Sequence, residues 1–166
     1  MFNFRLYGKE QDIDLEDWSK QDYSNYYEDV HRFALFNETI SQLYNTYIEN
    51  PDQMGSIFDK VIVVEEDSLK VAVIVLNYFI DEKDNKKVLG INPILVNPKY
   101  INKGYGKRII KHLIDIKGKI FNMLPDKMYA GIDIDNIRCK HLFESLGFKL
   151  IGKTDDNDFL YYELEL

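Results

Sequence analysis

A chain of 166 residues that is 45% hydrophobic and 14% aromatic suits one folded domain, able to bury about 70% of the surface its unfolded form exposes, and excludes global disorder. Its net charge of −7 argues against nucleic acid as a partner, because phosphate recognition normally needs a basic face, and suits a cationic ligand better. The single cysteine, Cys139, permits no internal disulfide and forms no zinc spacing with the three scattered histidines, so a reducing compartment and no metal are expected.

In the opening MFNFRLYGKE, Phe2, Phe4 and Leu6 alternate with polar or charged residues, which predicts a short strand with one buried face. The same stretch lacks the long apolar core of a signal peptide, and the longest apolar run, Val71 to Leu76, is far too short for a bilayer. A cytoplasmic protein with no membrane partner is the expectation. From Glu10 to Asp29 eight carboxylates stand against Lys20 alone, which reads as a solvated face or, functionally, as a rim that attracts a cationic acceptor. Apolar positions from Val30 to Ile48 then follow a helical period that Pro51 ends, preceded by the clustered Tyr23, Tyr26 and Tyr27.

Val61 to Glu65 and Leu69 to Ile80 are β-branched runs separated by Glu66, Asp67 and Ser68, which predicts an antiparallel hairpin. After a polar turn from Asp81 to Lys87, Val88 to Val96 reads as a third strand with Pro93 inside it. Proline has no N–H for a ladder, so that position marks an edge, a bulge or a splay from a neighbour. An amphipathic helix starts at Gly106, carries Ile109, Ile110, Leu113 and Ile114 on one face, and ends near Gly118. Lys127 to Asp135 is a strand. Asn136 caps the next helix, whose apolar positions are Cys139, Leu142, Phe143 and Leu146 and which Gly147 stops. Phe148 to Ile151 and Phe159 to Leu166 are the last two strands. This order, strand, helices, three strands, helix, strand, helix, two strands, is that of a mixed α/β domain with helices on both faces of one sheet.

The stretch ILVNPKYINKGYGKRIIK, Ile94 to Lys111, organises the rest. A strand runs into a turn with two glycines and then into a helix, whose first N–H groups and positive dipole end converge on one spot, an anion site suited to phosphate. A Walker A loop is excluded because Arg108 follows Gly106-Lys107 where a hydroxyl residue is needed; a dinucleotide fingerprint is excluded because Ile109 stands where a third glycine belongs. From Asn85 to Ile114 there is no acidic residue, while Lys86, Lys87, Lys99, Lys103, Lys107, Arg108 and Lys111 form a basic island.

Asn97 to Lys107, NPKYINKGYGK, resembles motif A of the GCN5-related N-acetyltransferases, Q/R-x-x-G-x-G/A after a strand. Asn136 to Phe148, NIRCKHLFESLGF, is similar to that family's motif B, N-x-x-A-x-x-L-Y-E-x-L-G-F. The resemblance covers nearly the whole chain and is most specific from Val88 to Gly152. It implies a single domain of GNAT-like fold: a mixed, mostly antiparallel sheet with helices on both faces and a splayed acetyl-CoA cleft. In it, residues 1–60 form the acceptor side and 61–166 the acetyl-CoA-binding core.

Carried over, the resemblance implies that the backbone of Ile94, Leu95 and Val96 pairs with pantetheine. The amides of Asn102, Lys103, Gly104, Tyr105, Gly106 and Lys107 then cradle the pyrophosphate, and Asn136 and Phe143 face the cleft. The implied reaction is acetyl transfer from acetyl-CoA to a primary amine of a small, cationic acceptor by direct attack, without a metal. A homodimer is a further expectation.

Three positions depart from the family pattern. Ile101 replaces the motif A Q/R; Phe143 replaces the tyrosine that in many relatives protonates the leaving thiolate; Pro93 falls near the usual catalytic glutamate. The base is therefore left open among Asp133, Asp135 and a carboxylate of the N-terminal region, and the acid among Tyr129, Tyr161 and Tyr162. These departures motivate the alternative, a GNAT-fold protein that binds acyl-CoA as a regulator and turns over weakly or not at all. Cys139, His31, His112 and His141 read as packing or surface residues.

Overall fold

The computed structural model describes residues 1–8, 10–15, 18 and 60–166. Its strands are β1 (Phe2–Leu6), β2 (Lys60–Glu66), β3 (Leu69–Ile80), β4 (Lys87–Val96), β5 (Lys127–Asp133), β6 (Lys149–Lys153) and β7 (Phe159–Glu165). Two α-helices are described, α1 (Tyr105–Ile116) and α2 (Ile137–Glu144), and a 3-10 turn at Pro98–Tyr100 follows β4. The predicted helices between Val30 and Ile48, His31 and the tyrosines at 23, 26 and 27 lie outside the described residues.

The strands form one open sheet in the order β1-β2-β3-β4-β5-β7-β6. It is mixed and mostly antiparallel, as expected: β1–β2, β5–β7 and β6–β7 are antiparallel and β4–β5 is parallel. Asp67 and Ser68, at φ 52° and 65°, make the left-handed two-residue turn that suits the twist of a hairpin and returns β3 beside β2.

The chain clusters into two compact units, Met1–Val75 with Pro93–Tyr105 and Leu76–Asn92 with Gly106–Leu166. In the first, Leu15, Trp18, Val61, Val63, Val73, Val75 and Leu95 form a buried cluster with Tyr7 packed on it. β1 departs from expectation in its third apolar residue. Phe2 and Phe4 are half-buried, but Leu6 is exposed, and Arg5 between them turns inward to hold a buried carboxylate.

In the second unit, α1 buries Ile109, Ile110 and Leu113, residues one and four positions apart that share a stripe, as the periodicity predicts. Its start is Tyr105, one residue earlier than predicted, and β5 ends at Asp133 where Ile134 and Asp135 turn toward α2. Asn136 Oδ1 accepts the Cys139 amide at 3.1 Å and caps α2, while Gly147, at φ 92°, takes the left-handed conformation that ends the helical path.

Candidate functional site

In the first unit, β4 ends where its sequence changes from apolar to polar, and Asn97 fixes that end. Its amide donates to the Val71 carbonyl at 2.9 Å and its side-chain nitrogen to the Lys70 carbonyl at 3.2 Å, while its Oδ1 takes the Lys99 amide at 3.1 Å. One buried asparagine thereby ties the end of β4 to β3 and caps the 3-10 turn. Sequence reasoning had included Asn97 only as part of a motif. An asparagine just before a proline that opens a turn was the available signal.

The turn that follows holds Asn102 at φ 62° and Gly104 at φ 77°, both left-handed. A Cβ built at Gly104 has nothing within 4 Å, so the backbone there is open to a ligand. The Lys103 amide points to the Tyr100 carbonyl at 3.4 Å, a long bond, and the Lys103 ammonium folds back to the Lys99 carbonyl at 2.7 Å and over the Tyr100 ring. Tyr105 packs its ring on Tyr100 at 5.2 Å and on Phe2 at 6.2 Å, which anchors the turn to β1. Ile94 and Val96 are half-buried and Leu95 is buried in the core cluster.

In the second unit, Gly106 and Lys107 lie in the first turn of α1, where amides have no helical carbonyl four residues back. No acidic residue occurs in that turn. Gly106 has a role the sequence did not reveal: a Cβ there would stand 3.1 Å from Leu142 Cδ1 of α2, so its bareness serves helix contact. The basic island is thinner than the residue count suggests, because the Lys86 ammonium is held by the Glu165 carboxylate at 2.8 Å.

The parallel ladder of β4 with β5 runs from Val88↔Lys127 to Ile91↔Ala130, whereas β5 continues to Asp133 paired with β7. Pro93 therefore comes after the last paired residue of β4, where the lack of an N–H costs nothing in that ladder. Gly90, inside the ladder, faces Asn77 so closely that a Cβ would collide with its Oδ1. A lone glycine within a strand was the signal for such an approach.

Phe143 is 2% exposed and meets Phe148 edge-on at 4.9 Å, a hydrophobic core contact. Asp133 is half-buried and its Oδ1 accepts the exposed Asp135 amide at 2.8 Å. Tyr162 is buried and donates its hydroxyl to Glu144 Oε1 at 3.0 Å, so it is committed to α2. Tyr129 and Tyr161 stand side by side at 5.3 Å, both half-buried. Burial, then the neighbouring Tyr161 and the carboxylates of Asp81 and Glu163, raise the Tyr129 phenol, which stays protonated at neutral pH. The Cys139 thiol is pushed up to about 12 by burial, as befits a packing residue.

Two further charged clusters escaped sequence reasoning. Asp12, expected in a solvated face or rim, is fully buried: Arg5 grips both its oxygens at 2.7 and 2.8 Å, the Gly8 amide donates at 2.8 Å, and Lys70 stands at 3.0 Å. Lys127, 3% exposed, is ringed by Asp81, Asp84 and Glu163 at 2.7, 2.9 and 3.0 Å. Among the described residues, no helix is long and apolar enough to cross a membrane.

No curated protein sequence matches this one. Among solved structures the chain is similar to the aminoglycoside N(6')-acetyltransferase from Legionella pneumophila, at 16% identity and TM-score 0.68, covering 99% of this chain and 91% of that one. It is also similar to the Campylobacter jejuni N-acetyltransferase PseH in complex with acetyl coenzyme A, at 14% identity and TM-score 0.62, covering 99% of each chain. A third likeness is to the spermidine/spermine N-acetyltransferase SpeG from Vibrio cholerae, at 18% identity and TM-score 0.60, covering 99% and 95%. At these identities the likeness is one of fold. The model of the acetyltransferase (GNAT) family matches residues 13–148, and the chain belongs to that family.

Proposed function

We propose that the protein transfers an acetyl group from acetyl-CoA to a primary amine of a small cationic acceptor. The observation that carries this reading is the left-handed turn at Gly104, open on its Cβ side, leading straight into the acid-free first turn of α1. The amides of Asn102, Lys103, Gly104, Tyr105, Gly106 and Lys107 hold the pyrophosphate, with Lys103 giving up its weak bond to Tyr100. The backbone of Ile94, Leu95 and Val96 receives the pantetheine arm as an added strand, since β4 runs on past its ladder with β5. In the second unit Asn136 and Phe143 are further proposed cofactor contacts, Asn136 through its amide nitrogen, its oxygen being engaged in the cap.

Acetyl-CoA supplies a thioester whose thiolate leaves readily, because thiols have a pKa of about 8.5. The protein's share is to place a neutral amine against that carbonyl and to take up its proton at Asp133 or Asp135, directly or through water. Asp133 is the better placed of the two, being half-buried and aligned by the Asp135 amide. The amines named for the similar structures, spermidine, spermine and aminoglycosides, are polycations, and the net charge of −7 favours an acceptor of that class. One of those structures is dodecameric, and self-association of this chain is part of the same proposal.

A second reading, acyl-CoA binding without efficient turnover, draws on Phe143, which fills the usual acid position with a fully buried hydrophobe. Two measurements separate the readings. Acetyl-CoA at millimolar concentration raises the melting temperature under either; no rise refutes both. Steady CoA release with any of a panel of amines refutes the second. Gly104→Asp, set against Gly104→Asn of the same shape and similar tolerance of φ 77°, should weaken acetyl-CoA binding at least tenfold through charge alone. Equal affinities in the two variants would move the phosphates elsewhere.

A further inference from the structure

On one face of the second unit's sheet, an aromatic row lies beside a surplus of negative charge. Ladder register puts Gly90, Tyr129 and Glu163 directly opposite one another on β4, β5 and β7, and Gly131 opposite Tyr161. Residues paired across strands share a face, so Tyr129, Tyr161 and Glu163 project to the same side. The two tyrosine rings are 5.3 Å apart and inclined by 33°. Above Gly90 the space is taken by the Asn77 side chain, with Phe79 Cε1 of β3 at 3.3 Å from where a Cβ would stand, so an amide and the edge of a ring that is 39% exposed border the tyrosine pair on that side. Gly131, unlike the buried Gly90, is exposed, and the atoms nearest a Cβ built there are those of the Tyr161 ring, at 3.9 Å. The bare, exposed Gly131 leaves the Tyr161 ring uncovered on that side.

Charge decides what fits such a floor. Glu163 belongs to the Lys127 cluster, in which one ammonium faces three carboxylates, Asp81, Asp84 and Glu163, leaving two net negative charges at the edge of the row. Burial first, then Tyr161, and only after them the carboxylates of Asp81 and Glu163 raise the Tyr129 phenol. A neutral apolar ligand would gain only ring contact here, whereas a cation gains the quadrupole of each ring and the carboxylate field together.

We propose that Tyr129 and Tyr161, bordered by the Lys127 carboxylate cluster, seat the distal ammonium of a diamine acceptor. The inference rests on the acetyl-transfer reading and names which part of the acceptor is recognised: the second cation, not the reacting amine. The protein therefore selects amines with a positive charge several bonds from the acetylated nitrogen. A cation over an aromatic face is worth roughly two- to thirtyfold in affinity.

The test titrates CoA-bound protein with 1,4-diaminobutane and with n-butylamine by calorimetry, and compares kcat/KM for the same pair. The expected result is a preference for the diamine of about tenfold or more. That preference should fall below about threefold in Tyr129→Leu/Tyr161→Leu and persist in Tyr129→Phe/Tyr161→Phe, which keeps the rings. Should the leucine pair not fold, Tyr161→Leu alone should at least halve the preference. Equal binding of the two amines by the unaltered protein, an intact preference in the leucine variants, or its loss in the phenylalanine pair would each overturn the proposal. Acetyl-CoA's effect on the melting temperature and turnover of butylamine report on the transfer reading separately, so either can fail while the other stands.

Discussion

Asp12 shows how much one residue can hold in place. Burial alone drives its carboxyl toward the neutral form, but the Arg5 fork, the Gly8 amide and Lys70 together outweigh that cost and hold it down to about 2. The group ties β1 to the residues that follow it and to β3, and Arg5 extends the tie to Glu65 on β2 at 2.8 Å. Asp12→Asn removes the anion while Arg5 keeps Glu65, so the expected loss is near the low end for a broken buried pair, about 3 kcal/mol in urea unfolding. The pH dependence has a definite sign. The folded carboxyl titrates below its ordinary value, so its stabilisation is complete above pH 4 and is lost as pH falls from about 4 to 2, by about 2 kcal/mol. The asparagine variant should show a correspondingly shallower acid decline over that range.

Among the elements, the entry into α1 carries two glycines whose constraints differ, and stability measurements should tell them apart. Gly104 sits at φ 77° in open space, so Gly104→Ala meets no neighbour yet pays about 1–2 kcal/mol for a left-handed alanine. Gly106 lies within the helix, where alanine gains up to about 1 kcal/mol in propensity. Its new Cβ would press on Leu142 Cδ1 at 3.1 Å, the far end of a flexible, half-buried side chain. Gly106→Ala should therefore stay within about 1 kcal/mol of the unaltered protein in chemical unfolding, and Gly104→Ala should not. The sequence made both glycines visible and placed the start of the helix to within one residue and its end, expected near Gly118, to within two, because turn chemistry and period are local. It assigned both to ligand approach, because contact with Leu142, thirty-six residues away, leaves no local trace. The same limit hid the clusters: Asp12 looked like one of eight exposed acids, and its partner Lys70 lies fifty-eight residues on. Asn136 and Gly147 were legible for the opposite reason, since a cap and a helix stop act within three or four residues.

At the scale of the molecule, among the described residues each unit keeps one buried charge, of opposite sign and surrounded by its complement, Asp12 in the first and Lys127 in the second. Burial works to lower the Lys127 ammonium, but its hydrogen bonds to Asp81, Asp84 and Glu163 prevail and raise it well above the ordinary lysine value. Its stabilisation is therefore complete below about pH 10 and lost only in strong alkali, whereas that of the lowered carboxylates Asp12, Glu65, Asp81 and Asp84 is present above about pH 4 and lost in acid. The melting temperature should accordingly plateau between about pH 5 and 9 and fall at both ends. Lys127→Met inverts one side of this profile. Without the ammonium, three carboxylates face one another, and the melting temperature at pH 7 should drop by roughly 6–12 °C. Mutual repulsion then raises those carboxyls instead of lowering them, so acid relieves the strain and the variant should gain stability from pH 7 to 5, where the unaltered protein is flat. Thermal scans of the two proteins across that range decide the matter, and parallel profiles would mean that Lys127 is held by packing alone.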